Sequence, residues 1–135
     1  MFEIGAIYRE EFLVSEEIYK GFVHLFKDKN PLHTNEIYAT DKGFKSVVMH
    51  GNILNGFLSY FIGECLPTKN VIIHAQEIQF KNPVYLNDKL LFNARVTGVF
   101  ESVNVVEFKY EFFKSLDSNS IQIVAKGKFQ IGLFQ

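Results

Sequence analysis

The spacing of hydrophobic positions changes once along the chain, after Pro67. Before it, apolar residues recur three and four positions apart in the segments that follow Ser15 and Asn52, which predicts amphipathic helices. After it, apolar and polar residues alternate, which predicts strands that each bury one face. The predicted strands are Val71–Phe80, Leu90–Val99, Asn104–Phe113 and Ile121–Leu133.

The longest predicted helix runs over Asn52–Leu66. One side of it is broad and apolar, and the opposite side is a stripe of small or polar residues. Glycine inside a helix costs up to about 1 kcal/mol relative to alanine. Two glycines on one stripe therefore indicate that another backbone or a ligand approaches the helix closely there. The stripe consists of Asn52, Gly56, Ser59 and Gly63.

Shorter elements precede this helix. Met1–Phe12 is predicted to be a strand or an extended lead. A helix begins at Ser15, a favourable N-cap, and stops before Pro31, because the residue before a proline avoids the α region. Phe26 is expected to fill the core at the end of this helix, with narrowing of a ligand pocket as the alternative. Thr34 is expected to cap a further short helix over Asn35–Thr40.

These elements describe one α+β domain over residues 1–135. No linker, repeat or low-complexity stretch divides the chain. Half-apolar strands with short polar connections favour an antiparallel sheet. A long apolar helix on a curved antiparallel sheet is a stable way to bury both apolar faces.

Composition narrows the function classes. The formal net charge is −1 and no segment carries a basic stripe, which argues against nucleic acid as a partner. Cys65 is the only cysteine, so the sequence contains no Cys/His metal pattern, and no metal is predicted. No signal peptide and no apolar run of about 18 residues is present. We therefore expect a soluble, cytoplasmic protein without a membrane anchor.

Two positions along the chain suggest chemistry. Asp28 precedes His33 by five residues, with a stiff Asn30-Pro31 step between them. A carboxylate and an imidazole held together by a rigid turn are suited to moving protons to and from water. Further on, His50-Gly51 stands at the start of the long helix, where unpaired N–H groups and the positive end of the helix dipole are available.

These residues resemble the hydratase motif of the MaoC-like family, the R-specific enoyl-CoA hydratases and related dehydratases. The likeness extends from about Ser15 to Phe92, and the chain departs from the family pattern at Phe26-Lys27, where many members have a small residue followed by Gly or Glu. The matching features are Asp28-Lys29-Asn30-Pro31-Leu32-His33 followed by Ala39, then His50-Gly51 with Ser59 eight residues beyond the glycine, and Phe80–Val84 with Asn87-Asp88.

The resemblance implies a hotdog fold, in which the antiparallel sheet wraps around a long central α-helix. It also implies a role for each matching residue. Asp28 and His33 are the pair that activates water, and the Gly51 amide donates to the thioester carbonyl. Ser59 hydrogen-bonds and orients Asp28. His50 and Asn30 are further candidates for contact with the substrate, although each is also suited to shaping its own turn.

The implied reaction is hydration of a trans-2-enoyl thioester to the (R)-3-hydroxyacyl thioester, or the reverse dehydration. It needs no metal and no redox cofactor, and the acyl-CoA or acyl-carrier thioester is the substrate. The resemblance further implies a homodimer in which the substrate enters between the subunits. Two alternatives stay open: a hotdog acyl-CoA thioesterase, and a non-catalytic protein that binds acyl thioesters for regulation.

Overall fold

The computed structural model describes residues 1–135. Five strands form one antiparallel sheet in the order β1-β3-β4-β5-β2. The sheet and the helix packed against it confirm the predicted α+β architecture. The helices are α1 (Glu16–Phe26), α2 (Pro31–Thr34), α3 (Glu36–Asp41) and α4 (Asn52–Tyr60), and the strands are β1 (Ile7–Leu13), β2 (Val71–Phe80), β3 (Lys89–Phe100), β4 (Val105–Asp117) and β5 (Ser120–Leu133).

The core lies between α4 and one face of the sheet. The apolar face predicted for this helix, from Leu54 to Cys65, is buried as far as Ile62, Cys65 is half-buried, and Ile53 is buried in addition. Aromatic rings join the two layers: Phe57 stacks on Phe12 of β1 with centroids 4.6 Å apart, and Phe61 meets Phe92 of β3 at 4.8 Å. The predicted span of Asn52–Leu66 is helical, but its last turn, Phe61–Cys65, is a π-helix. No helix is long and apolar enough to cross a membrane.

The alternation predicted for the strands is confirmed in β3 and β4, where every second residue is buried. In β5 it fails. The register shifts where Phe112 pairs with Ala125 and Phe113 pairs with Ile123, so Val124 is an extra, bulged residue. Because a bulge reverses the alternation beyond it, Val124 and Ala125 are both buried and Ile121 is 60% exposed.

The helices before α4 differ from the prediction in two places. Ser15 does cap α1, accepting the Ile18 amide at 3.2 Å. Asn35, not Thr34, caps α3, because the Asn35 side chain accepts the Tyr38 amide while the Thr34 hydroxyl bonds back to carbonyls of the preceding turn. Phe26 does not enter the core. It is 69% exposed, with its ring 4.9 Å from that of Phe22, since α1 ends at the rim of the helical layer.

The small-residue stripe of α4 faces away from the sheet and is exposed. A side chain at Gly56 or Gly63 would meet nothing within 4 Å. The close approach that these glycines predict is therefore not made by any other part of the same protomer.

Gly127 of β5 is the glycine that the fold requires. A Cβ at this position would overlap the Glu77 carbonyl of β2 and the Tyr110 hydroxyl, which donates to that carbonyl at 2.8 Å. We expect Gly127→Ala to lower the free energy of unfolding by about 2 kcal/mol, the usual cost of overpacking. The measurement is the urea midpoint, with Gly21→Ala as the control. Gly21 lies in α1 with open space around it, so this change should stabilise by up to about 1 kcal/mol. An unchanged midpoint for Gly127→Ala would contradict the tight β2–β5 contact.

Candidate active site

Asp28 lies in the loop that joins α1 to α2. Lys27 ends α1 in the left-handed conformation, with φ of 65°, and its amide donates to the Val23 carbonyl. This reversal turns the next residue toward the start of α4. The Asp28 carboxylate accepts the Asn30 amide at 3.2 Å and is otherwise exposed, so it keeps acceptor capacity for a water or a substrate.

His33 is held firmly by main-chain groups. It lies in α2, which Pro31 begins and the Asn30 side chain caps by accepting the Leu32 amide at 3.0 Å. The His33 Nδ1 donates to the Val48 carbonyl at 2.6 Å. A carbonyl only accepts, so the proton of His33 is on Nδ1, and Nε2 is the nitrogen with a free lone pair.

His50 lies directly against this pair. Its ring stacks on that of His33, with centroids 4.1 Å apart and planes inclined by 29°, and its Nε2 donates to the Asp28 main-chain carbonyl at 2.8 Å. It is only 3% exposed, and its Nδ1 is buried with no partner in the protein. His50 lines the cavity, but its Nε2 is used by the Asp28 carbonyl, and contact between His50 and the substrate stays a prediction.

Gly51 begins α4, and its amide is a free donor. The helix has no side-chain cap, and the Ile53 and Leu54 amides bond to the carbonyls of His50 and Gly51. The Gly51 amide takes no partner in this set of backbone hydrogen bonds. Helix N-termini favour negative charge, so this amide can stabilise an oxygen that becomes anionic. The Phe80 ring lies over the glycine, within 2.8 Å of where a Cβ would stand.

A cavity of about 460 Å³ brings these groups together. Asp28, His33, His50 and Gly51 all line it, together with the loop Lys81–Val84. The β5 bulge holds that loop in place: the Lys81 and Asn82 amides both donate to the Val124 carbonyl, and the Asn82 side chain donates to the Ile123 carbonyl at 2.7 Å. The cavity therefore has one polar corner and apolar walls, the usual composition of a small-molecule site.

Two predicted site residues have other places. Ser59 is exposed, lies about 12 Å along the helix from Gly51, and makes no hydrogen bond with Asp28. The expected hydrogen bond to Asp28 is not made within this protomer, where Asp28 lies beside the first turn of α4, so the orienting role of Ser59 stays a prediction. Asn30 does not line the cavity, since its side chain is used to cap α2.

Asp28, His33 and His50 are the residues nearest to a metal-ligand set, with one candidate ligand atom from each within 4.8 Å of the others. The ring geometry does not suit a metal. Stacked imidazoles direct their lone pairs side by side rather than toward a common point, and His50 Nε2 already donates its proton to a carbonyl. The same 4.8 Å separation suits one water, which spans such a gap with two hydrogen bonds of about 2.8 Å.

A five-stranded antiparallel sheet packed on a central helix is the hotdog fold, and here an aspartate and a histidine lie at the N-terminus of that helix. Comparison with known proteins agrees. Residues 7–112 match the model of the MaoC like domain family. The chain belongs to this family.

Individual proteins are similar to this chain over most of its length. The chain is 33% identical over 115 residues to an (R)-specific enoyl-CoA hydratase of Rhodospirillum rubrum, covering 85% of this chain and 76% of the relative. It is 26% identical to a mitochondrial 3-hydroxyacyl-[acyl-carrier-protein] dehydratase of Arabidopsis thaliana, covering 85% and 69%. The structure of the (R)-hydratase from A. caviae superposes with a TM-score of 0.86 at 25% identity, covering 98% of each chain.

The sequence did not identify the groups that hold His33 in place. The Tyr19 hydroxyl donates to the His33 carbonyl at 2.6 Å, and the Val48 carbonyl fixes the His33 tautomer. A tyrosine one turn before Phe22 on the inner side of α1 was the only available signal for the first. No sequence signal marks the Val48 carbonyl, because every residue has a backbone carbonyl.

The caps of two adjacent helices provide a test of this site. Asn30→Ala and Asn35→Ala each remove a side-chain N-cap, of α2 and α3, and each should cost about 1 kcal/mol of unfolding free energy. Only α2 carries His33. We expect Asn30→Ala to slow hydration of an enoyl thioester, the reaction of the hydratase relatives, by about tenfold, while Asn35→Ala leaves it unchanged. Equal rates in the two variants would show that the α2 cap does not position His33. Urea unfolding and initial rates are the two measurements.

Proposed function

We propose that this protein catalyses (R)-specific hydration of trans-2-enoyl thioesters, or the reverse dehydration of (R)-3-hydroxyacyl thioesters. The observation that supports the proposal is the combination in one cavity of Asp28, His33 and the unpartnered Gly51 amide. A hydratase needs a group that activates water and a donor that stabilises an enolate oxygen, and this cavity offers both. The 33% identity to an (R)-specific enoyl-CoA hydratase supports the same reaction.

The thioester carbonyl oxygen accepts the Gly51 amide, which places the conjugated double bond beside Asp28 and His33. One water is held between the carboxylate and His33 Nε2. Its oxygen attacks the β-carbon, one of the two side chains takes the proton, and the π electrons move through the α-carbon to the carbonyl oxygen. A proton delivered to the α-carbon from the same side completes the addition. Glycine at position 51 permits close approach of the carbonyl oxygen to the backbone.

Two features of the surface support a homodimer as the working form. Strand β2 is an edge of the sheet, paired only with β5, and its Ile72 and Ile73 are exposed. An unpaired apolar edge is an aggregation liability unless another chain covers it. No other part of the protomer packs against the exposed glycine stripe of α4, and a second copy of the chain would cover it. In this arrangement the thioester enters between the subunits.

Trans-2-butenoyl-CoA tests the reaction directly. Hydration removes the absorbance of the conjugated thioester without releasing a thiol. A thioesterase would release free thiol, and a non-catalytic binding protein would do neither. We expect hydration, and we expect Asp28→Asn and His33→Ala each to lower kcat by about 10³-fold, within the range for loss of a general acid or base.

His24→Ala is the matched control for these two variants. His24 lies on the exposed side of α1, and it does not line the catalytic cavity. Its removal should leave kcat unchanged. Wild-type turnover in either Asp28→Asn or His33→Ala would refute the assignment of the pair.

The dimer is tested at the two edges of the sheet. Ile73 of β2 is 38% exposed and Ile7 of β1 is 49% exposed, so lysine is accepted by the folded protomer at either place. We expect wild type and Ile7→Lys to sediment at twice the 15.6 kDa mass of the chain, and Ile73→Lys to sediment as a monomer. Charge repulsion across a symmetric edge is the reason, because a two-fold axis brings each lysine near its copy. A dimer that survives Ile73→Lys but not Ile7→Lys would place the interface at β1.

A further inference from the structure

His50 is the one imidazole in the core, and its surroundings are unusual. Apart from Tyr110, it is the only polar side chain among the buried residues. Its ring lies between those of His33, at 4.1 Å, and Phe22, at 4.6 Å, and is inclined by about 30° to each. It is thus enclosed by aromatic rings on both faces while its edge touches the loop that carries Asp28.

The two ring nitrogens of His50 differ. Nε2 donates to the Asp28 carbonyl, so the proton is on that atom. Nδ1 is then an acceptor, and it is buried without any partner in the protein. A buried acceptor that makes no hydrogen bond reduces stability, and an apolar ring of similar size would avoid that loss. Features that cost stability in this way are concentrated at functional sites.

Asp28 otherwise has little to fix its position. It is exposed, it follows the end of α1, and the only bond to its side chain comes from the Asn30 amide two residues later. His50 directly precedes Gly51, so its hydrogen bond to the Asp28 carbonyl links the Asp28 loop to the start of α4. The carboxylate and the oxyanion donor are therefore set relative to each other through a single side chain.

We infer that His50 is a positioning residue: it fixes the Asp28 backbone through Nε2 and supports the His33 ring by stacking, while taking no proton from the water itself. This inference rests on the proposed hydratase function, since it assigns His50 to the same pair. Misplacement of a reacting group by about 1 Å can cost on the order of 10²-fold in rate. A residue that acts only through Asp28 and His33 should therefore affect kcat strongly and KM little.

His50→Phe separates a positioning role from a structural one. Phenylalanine keeps a ring between Phe22 and His33, removes the unpartnered Nδ1 and loses the bond to Asp28. We expect its melting temperature to equal or exceed that of wild type, its KM to stay within about twofold, and its kcat to fall by about 30- to 100-fold. A residue that merely stabilises the fold would show the opposite sign in melting temperature.

His50→Gln serves as the second variant. Its side-chain amide can still donate to the Asp28 carbonyl but does not stack, so we expect it to retain more of kcat than His50→Phe. A kcat for His50→Phe within about threefold of wild type would overturn the inference, because misplacement is expected to cost far more. Equal loss in both variants would show that the Asp28 hydrogen bond contributes nothing.

A double-mutant cycle shows whether His50 acts through Asp28. In the Asp28→Asn background the carboxylate is already absent, so adding His50→Phe should lower the residual kcat by less than about threefold, far below the loss in wild type. Multiplicative losses would mean that the two residues act independently, and would overturn the inference.

Nuclear magnetic resonance gives a readout that does not depend on turnover. Long-range proton–nitrogen spectra of wild type should show the Nε2–H tautomer for His50 and the Nδ1–H tautomer for His33. His50→Phe should shift the amide resonance of Lys29, which shares the peptide bond with the Asp28 carbonyl. The Nδ1–H tautomer at His50, or an unmoved Lys29 amide, would refute the positioning geometry. Absence of hydration in wild type with these signatures present would refute the proposed function instead.

Discussion

Main-chain hydrogen bonds at Val48 and Met49 hold the candidate site together. The Val48 amide donates to the Leu32 carbonyl at 3.0 Å, and the Val48 carbonyl accepts His33 Nδ1. The next amide, that of Met49, donates to the Val84 carbonyl at 2.8 Å. Buried backbone groups must be paired, so this short segment cannot shift without breaking bonds on both sides. Helix α2, the start of α4 and the loop after β2 therefore behave as one unit.

The central helix has different surroundings along its length. Its middle is anchored by aromatic rings from three strands, which makes the helix axis rigid relative to the sheet. Gly51, the N-cap residue, in contrast supplies no side-chain cap, and its amide makes no hydrogen bond. An uncapped N-terminus lowers the stability of a helix by the value of the missing bond, about 1 kcal/mol. The packing of the middle offsets that cost and keeps the free amide in a fixed direction, which is what stabilising an oxyanion requires.

Much of the fold could be predicted because short-range sequence patterns indicate it. The 3.6-residue spacing after Asn52 and the alternation in β3 and β4 reflect burial of one face, which depends only on nearby residues. The β5 bulge could not be predicted in this way. It exists because the loop at Lys81 and Asn82 bonds to Val124, a contact between residues 41 to 43 positions apart that leaves no periodic signal.

The residues of the candidate site also differ in whether local sequence patterns indicate their place. The sequence offers Asp28, His33 and Gly51 as candidates because their spacing resembles the family motif, and the structure brings all three to one cavity. The expected Ser59–Asp28 bond is not made within the protomer, because it depends on where the α1–α2 loop meets α4, which no local pattern records. The place of His50 also could not be predicted, because burial between two rings is a property of the assembled layers.

The bulge at Val124 makes the number of residues in β5 important for the site, independently of the side chains that the strand carries. Its carbonyl supports the loop that lines the cavity, and the extra residue decides which side of β5 faces the core beyond it. A substitution at Val124 changes only its side chain, whereas the Lys81 and Asn82 amides bond to its main-chain carbonyl. A one-residue insertion or deletion between Ile123 and Ala125 moves the carbonyl itself and turns the rest of the strand over. The length of β5 at the bulge is thus fixed by main-chain hydrogen bonds, while the core limits the side chains at Val124 and Ala125 separately.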